Sequence, residues 1–529
     1  MQTYVEAEYT TQERGILGRH FTSIDGPAAV LIGLPDSTRA ALFARYSRTA
    51  KPLKRVFLDE FYDPDAEAAA GADVGMARAS DLFSRVLSDY GDDSVAQLAG
   101  VHVSCEQVSN LLTKVLERGR LMGYLEQSTR YVSYADKPGG HYRYYRDPIL
   151  LASPHAARYT AAMDGLFDTY AEVTERVRDL LLGPVPSGDK AQARAARAAA
   201  FDVARGLLPV GTVSNVGVFG SPQAYEQLIL RMRSEELPEA NGYAELVLAE
   251  LKKVIPDFLT RLDRPDRGGA WVDYRRTRAD ALGTVAAELD ATAASSPRAA
   301  IPGVRLLRWR ENAEDEIIAN AVYPRSRRPL DDILAQVRSL PGERRRELFA
   351  ASVGDRRNRR HKPGREWEAA DYEFEIVSDY GAFRDLQRHR LLTVDWQRLT
   401  PNLGYEVPHE VEAAGAADLW RFAVERAEAA WEAVARTHPA QASYLVTMQH
   451  HVRYLMRMNA REAMHLIELR SSPQGHPSYR RVAQEMHAAI RDVAGHGLVA
   501  GAMSFVNQDD VHLGRLEAEQ RADARAPSS

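Results

Sequence analysis

The chain has 529 residues, of which 45% are apolar and 27% charged, and its net charge is -5. Such a length can bury a large core in several domains or one duplicated unit, and the acidic balance excludes binding to nucleic acid through net charge alone. A lone cysteine, Cys105, excludes an intrachain disulfide and a zinc centre of several thiolates, and fits a reducing compartment.

At the N-terminus, "MQTYVEAEYTTQERG" has no basic segment followed by an apolar run, and no uncharged stretch is long enough to cross a bilayer. The expected location is therefore cytoplasmic, with no membrane partner. Further along, "AGVHVSCEQVSNLLTKVLERGR" alternates Val101, Val103 and Cys105 as a strand. It then takes helical spacing at Val108, Leu111, Leu112 and Val115, and stops at Gly119. A proline-containing loop and a long helix around "AARYTAAMDGLFDTYAEVTERVRDLL" follow, and "AYEQLILR" closes the segment at Arg231.

The second half of the chain repeats this order. "ADYEFEIVSDYGAFRDLQRHR" alternates Tyr372, Phe374 and Ile376, then enters a short helix capped by Ser378 or Asp379. Another proline-containing loop, the helix "AADLWRFAVERAEAAWEAVAR" and "NAREAMHLIELR" to Arg470 complete it. Parallel order in successive features predicts an internal duplication. The joint falls between Pro256 and Pro302, where "RLDRPDRGGAW" and "ATAASSPRAAIPG" carry linker residues. The expected division is a first unit over 1–260, a linker over 261–300, a second unit over 301–514 and a polar tail over 515–529. The expected fold class is α+β, with two tandem units that are mainly helical around small antiparallel sheets.

No GxxxxGK[ST] is present, and "VGTVSNVGVFGS" has the wrong spacing for a dinucleotide loop, so any phosphate falls to arginines. Arg388-His389-Arg390 reads most simply as a solvated helix end, where cations favour the C-terminal dipole. Its placement in a repeated strand-helix unit gives it a second reading, as guanidiniums that hold phosphate or a ring edge at a helix-to-loop corner. "DRRNRRHKPGRE", Asp355 to Glu366, reads as a solvated loop, with a phosphate-rich cofactor or RNA as the alternative; no interleaved aromatics support RNA. Glu462 and His465 have the spacing of half a dinuclear carboxylate site, but the only other such pair, Glu406 and His409, contains Pro408, so no metal is expected. His450 and His451 read as adjacent helical positions, one exposed and one in the core.

"EQSTRY", Glu126 to Tyr131, follows Arg118-Gly119-Arg120 and resembles the signature of flavin-dependent thymidylate synthases, in which Arg-His-Arg, seven intervening residues and serine occur in order. Ser128 stands at that spacing. "YGDDSVAQLAGVHVSCEQVS", "ARGLLP" and "LILR" resemble other motifs of the family in turn. The resemblance implies C5 methylation of dUMP, with methylenetetrahydrofolate as carbon donor, FAD as cofactor and NADPH as reductant. Cys105 reads as a small core residue, so polarisation by arginine takes the place of thiol activation.

Departures from the family pattern are complementary. The first half keeps Glu126, Gln127, Ser128, Arg130 and Arg205, the residues that the resemblance implies for the nucleotide. It has Gly119 in the histidine position, Leu125 in an asparagine position, and no Asn-x-Arg before Leu-Arg. The second half keeps Arg388, His389, Arg390, Asn459, Arg461 and His465, implied for FAD, but has Arg398 for serine and Thr400 for arginine. Arg470 or Arg231 would polarise the uracil. Family members are homotetramers with sites at subunit interfaces, so a duplicated chain is expected to be a homodimer with hybrid sites. The altered pair Asp395-Trp396 leaves another uridine nucleotide as acceptor, and the incompleteness of each half leaves a catalytically silent nucleotide-binding protein.

Overall fold

Period-two apolar runs become seven strands, and the segments between them become helices, in a computed structural model that describes residues 8–25, 27–47, 49–62, 97–183, 190–292 and 301–509. The expected tail at 515–529, part of the expected linker and the 90–96 part of one family-like motif lie outside the described residues. In chain order, β1 (Val101–Ser109), α1 (Asn110–Leu116) and β2 (Met122–Glu126) are followed by α2 (Ala156–Leu182), α3 (Lys190–Ala204), β3 (Val213–Gly220) and α4 (Pro222–Arg233). A 3-10 helix, Pro256–Asp263, and α5 (Ala270–Thr292) occupy much of the stretch with linker composition. Then come β4 (Gly303–Trp309), β5 (Asp371–Asp379), α6 (Tyr380–Leu386), β6 (Leu392–Trp396), α7 (Ala417–Ala435), β7 (His451–Asn459), α8 (Ala460–Arg470) and α9 (Pro477–Asp492).

The sheets carry the duplication. One has the order β1-β3-β2 and the other β4-β5-β7-β6, so in each repeat the third strand lies between the first and second, and β4 is an addition at one edge. β2 and β3 are antiparallel, as are β5 with β7 and β6 with β7; Met122 faces Gly220 in one repeat and Leu392 faces Met458 in the other. The fold is α+β with two tandem units, mainly helical around small antiparallel sheets.

Compactness divides the chain differently from the repeats. One compact unit draws on 1–108, 115–126 and 215–294, and the other on 109–114, 127–214 and 295–529. The second therefore contains the middle of the first repeat together with the second repeat. Its core is built on amphipathic helices: α2 buries Tyr159, Met163, Leu166, Phe167 and Tyr170, packs on α3, and meets α7, which buries Trp420, Val424 and Val434. Full burial of each large side chain contributes about 1.5–3 kcal/mol.

Within this unit, equivalent segments of the repeats pair with each other. The Val210 N–H donates to Val446 O at 2.7 Å and the Met448 N–H to Leu208 O at 2.9 Å, on either side of a bridge between Pro209 and Thr447. Gly206 permits the close approach: a Cβ there would lie 2.6 Å from Gln449 Oε1 and 2.8 Å from Trp420 Cη2. This pairing fixes Arg205, at the start of the segment, against the second repeat.

Local chemistry sets the start of α6. Asp379 caps it by accepting from the Ala382 N–H at 2.8 Å, and also takes a hydrogen bond from Ser478 Oγ, so one of the two caps expected from sequence is used. α6 ends at Leu386, and Arg388-His389-Arg390 occupies the turn beyond it. His450 and His451 correct the helical reading: His451 opens β7, His450 lies in the preceding turn, and both are buried. His450 is held by Thr447 and by Glu428, whose Oε1 lies 3.0 Å from its Nε2.

Gly206→Ala should lower stability by about 1–3 kcal/mol through overpacking against Trp420. Gly165→Ala, in α2 with open space at its Cβ position, should be neutral or stabilising by about 0.5–1 kcal/mol. Thermal unfolding midpoints compare the two, and equal shifts would show that the close pairing of the repeats is not under strain.

Candidate functional site

One side of α8, along its length, sets a wall of a cavity of about 400 Å³ inside the second compact unit. Asn459 caps α8 by accepting from the Glu462 N–H at 2.9 Å. From there, helical periodicity brings Arg461, Glu462, His465, Leu469 and Arg470 toward one stripe. The turn after α6 supplies Arg388, His389, Arg390 and Leu391, and the basic segment before β5 adds Lys362 and Glu368. All six residues expected for the flavin line this cavity, and so does Arg470.

His389 is locked by its two neighbours. Arg470 Nε donates to His389 Nε2 at 3.1 Å, which requires that nitrogen to be unprotonated. Nδ1 then carries the proton and donates to Glu462 Oε1 at 2.8 Å. Burial first, and then the Arg470 charge, push the His389 pKa down from 6.5 to about 3. Burial also lowers His465 to about 4, and its Nδ1 is buried without a hydrogen-bond partner. Glu462 moves the other way, its pKa raised by burial.

His389, Glu462 and His465 present ligand atoms within 4.8 Å of one another, a spacing that a metal ion could use. Electrostatics argue against one. The same cavity is lined by Lys362, Arg388, Arg390, Arg461 and Arg470 against only Glu368 and Glu462. A divalent cation there would face a surplus of positive charge, whereas an anionic ligand would relieve it.

Behind the cavity, Asp385 joins residues of the two repeats. Burial opposes its ionisation, but Arg388, Arg205, Arg470 and Arg384 together hold its pKa down to about 2. Its carboxylate lies 3.7 Å from Arg205 Nη1 and 3.8 Å from Arg470 Nη1. Arg384 Nη1 donates to Thr129 Oγ1 at 3.3 Å, which brings the loop after β2 to the same cluster. Arg130 donates to both oxygens of Asp202 at 2.5 and 2.8 Å, to Tyr479 Oη at 3.2 Å and to Gln474 O at 3.2 Å. Tyr479 in turn lies under the Arg470 guanidinium, 5.6 Å from it. A continuous chain of contacts thus leads from Arg130 through Tyr479 and Arg470 to His389.

The remaining expected residues divide between the compact units. Ser128 accepts from the Arg130 N–H at 3.2 Å, and Gln127 and Arg205 belong to the same unit as the cavity. Arg205 is fully buried, and its Nη2 has no hydrogen-bond partner. Glu126 and Arg231 belong to the other unit, and none of Glu126, Gln127, Ser128, Arg130, Arg205 and Arg231 lines the cavity. Arg231 is not the positional equivalent of Arg470: it lies ten residues after its helix cap Ser221, whereas Arg470 lies eleven after Asn459. One residue rotates a helical side chain by about 100°. Gly119, in the position of His389, leaves no room for a side chain, because a Cβ would be 2.6 Å from Tyr124 Oη, which donates to Gly119 O at 3.0 Å.

Asp385, Asp202 and Tyr479 escaped the sequence reading, whereas Lys362 lies in the basic segment whose alternative reading was a phosphate-rich cofactor. Asp385 had a faint signal, standing four residues before His389 in a segment rich in arginine. Asp202 and Tyr479 had none, because their roles depend on pairings with Arg130 that span 72 and 349 residues of sequence. Cys105 is buried in β1, and its thiol pKa is pushed up to about 11 by burial. Among the described residues, no helix is long and apolar enough to cross a membrane.

A family model described as thymidylate synthase complementing protein matches residues 36–257 and again 307–495. The chain is 35% identical to a UPF0159 protein of Chlamydia muridarum, over 98% of this chain and 99% of that protein. It is 30% identical to a UPF0159 protein of Thermoplasma acidophilum, over 92% and 99%. A flavin-dependent thymidylate synthase of Mycobacterium sp. (strain KMS) is 30% identical over 33% of this chain and 66% of its own length. The solved UMP/dUMP methylase PolB of Streptomyces cacaoi shares 15% identity and a TM-score of 0.30 over 38% of this chain and 94% of that one, a likeness too slight to argue from.

The neutral histidines set a pH dependence. Because folding lowers their pKa values from 6.5, their contribution to stability is complete above that value and is lost on acidification, as the unfolded chain binds protons that the folded one refuses. Each costs up to about 1.4 kcal/mol per pH unit. His389→Gln keeps an acceptor for Arg470 and a donor for Glu462 while removing one titrating group. Its thermal midpoint should therefore fall less between about pH 7 and pH 5 than that of the unaltered chain; an identical fall would mean that His389 is not held neutral.

Proposed function

Because the chain belongs to the thymidylate synthase complementing protein family, we propose that it carries out FAD-dependent reductive methylation of dUMP to dTMP, with methylenetetrahydrofolate as carbon donor and NADPH as reductant. The observation that carries this reading is the convergence of Arg388, His389, Arg390, Asn459, Arg461, His465 and Arg470 on one cavity. They come from two separate segments, and their shared wall is rich in cations. The excess of positive charge and the unpartnered His465 Nδ1 fit a phosphorylated flavin. When bound, that flavin would supply the hydride.

The chain's own residues would bind, orient and polarise. Arg388, Arg390 and Arg461 would hold the flavin through charge-assisted hydrogen bonds. His389 is already committed at both nitrogens, so its part is to aim Arg470 rather than to move a proton. With Nε on His389 and Nη1 beside Asp385, Arg470 would offer Nη2 to a uracil carbonyl, where a fixed guanidinium stabilises developing negative charge. The Cys105 thiol stays protonated at neutral pH, so activation of C5 would be electrostatic. Ser128, Arg130, Arg205 and Gln127 would receive the nucleotide, in a hybrid site that draws on both repeats, in a cytoplasmic homodimer.

One observation favours a second reading. Arg130 is paired with Asp202 and Arg205 stands by Asp385, so both guanidiniums already have carboxylate counter-ions. Nucleotide binding would require an exchange of partners, which a silent ligand-binding protein, or an enzyme for another uridine nucleotide, would not have kept efficient for dUMP.

Absorption spectra of the purified chain with added FAD, followed by NADPH oxidation with dUMP or UMP, separate these readings. Flavin uptake with oxidation stimulated by dUMP is expected. Protein that stays colourless with FAD would remove the flavin reading altogether, and uptake without nucleotide stimulation would leave the silent one. His389→Ala should weaken FAD retention at least about tenfold by freeing Arg470 and unpairing Glu462, whereas Gly119→Ala should leave it unchanged.

A further inference from the structure

The segment Asp355–Glu366 is largely exposed, as its composition suggests, but Arg356, Lys362 and Pro363 are drawn inward. The Arg356 side chain is buried and donates to both carboxylate oxygens of Glu468 at 2.8 and 2.6 Å. It also donates to Ala502 O and to His361 O, both at 2.6 Å, and its guanidinium stacks over Phe505 at 5.2 Å. Glu468 is on α8, three residues beyond His465, so this ion pair fastens the segment to the helix that forms the cavity wall. A second tie runs from Arg461 Nε to Pro363 O at 2.9 Å. Between these anchors lies Lys362, which lines the cavity and has no hydrogen-bond or ion-pair partner among the described residues. Its pKa is lowered, chiefly by burial, with Glu462 and Glu468 opposing the shift and Arg461 and Arg359 adding to it.

We infer that this basic segment is a phosphate clamp for the cavity, in which Lys362 contacts a phosphate of the bound ligand and Arg356 holds the segment in place. The inference deepens the functional reading above and rests on it for the identity of the ligand, but the clamp chemistry stands on the cavity itself. Five cations against two carboxylates leave a positive excess that one phosphate dianion or a diphosphate would offset in large part. An ammonium on a tethered backbone suits a phosphate oxygen as a point contact, while the guanidiniums around it supply paired donors. Because Arg356 orders the segment before any ligand arrives, little further ordering is needed on binding. The phosphate could belong to the flavin or to the nucleotide, and the two sources can be told apart.

The test uses the full chain and three variants: Lys362→Gln, Lys362→Arg and, as a control on the exposed side of the segment, Arg357→Gln. Arg357 is paired with Asp355 and does not line the cavity. Inorganic pyrophosphate binding, measured by calorimetry, should weaken about tenfold in Lys362→Gln, recover largely in Lys362→Arg and remain unchanged in Arg357→Gln. Riboflavin, FMN, FAD and dUMP are then titrated separately. Loss confined to FMN and FAD assigns the clamp to the flavin, and loss confined to dUMP assigns it to the nucleotide; riboflavin should be unaffected. Pyrophosphate affinity that is equal in the unaltered chain and Lys362→Gln, or absent from the unaltered chain, overturns the clamp even if FAD binds normally. Lys362-dependent pyrophosphate binding in a chain that takes no FAD would keep the clamp and overturn the flavin reading.

Discussion

A buried carboxylate among arginines is expensive to assemble and more expensive to break, and the Asp385 cluster has that character. Removing one partner from such a cluster leaves an uncompensated charge away from water, at a cost of about 3–5 kcal/mol. Asp385 alone faces Arg205, Arg384, Arg388 and Arg470. Because Arg205 comes from one repeat and the other three from the second, the cluster makes correct pairing of the repeats a condition for satisfying any of them. It also fixes the back of Arg470, whose Nε then sets the tautomer of His389. The orientation of the cavity wall therefore depends on an ion that does not touch the cavity.

Much of this was legible in the chain. Period-two runs located β1 and β5, and Asp379 was recognisable as a cap. The spacing of Arg461 and His465 placed both on one face of α8, because helical geometry is local. The duplicated order of elements likewise followed from pattern alone, and both sheets repeat it. What stayed hidden were contacts set by tertiary pairing. Nothing near Arg130 in sequence announces Asp202 or Tyr479, and nothing in an arginine-rich run distinguishes the buried side chain of Arg356 from the exposed Arg357. The adjacent histidines were misplaced on a helix because a strand that begins between them has no breaker to mark it.

The two repeats have diverged in a physically readable way. Where the second repeat has His389, the first has Gly119, and Tyr124 fills the volume that a side chain would need. Where Arg470 meets His389, the arginine of the first repeat is one position out of register on its helix and belongs to a different neighbourhood, beside Tyr124, Arg118, Glu235 and Arg275. Either change alone would leave a histidine without its arginine or an arginine without its histidine. Together they remove the whole arrangement without leaving half of it buried.

The surviving cavity shows why residue identity alone is a poor guide to ligand class. His389, Glu462 and His465 have the composition and spacing of metal ligands, yet both histidines are kept neutral by burial and by adjoining positive charges rather than by a bound ion. Neutral imidazole is what a metal needs, but it is also what a cationic pocket imposes, since protonation would add to an existing excess. The second cause is sufficient here: Arg470 already occupies the lone pair of His389 that an ion would use. Distinguishing the two therefore depends on the charge surrounding the triad, and that charge selects for an anion.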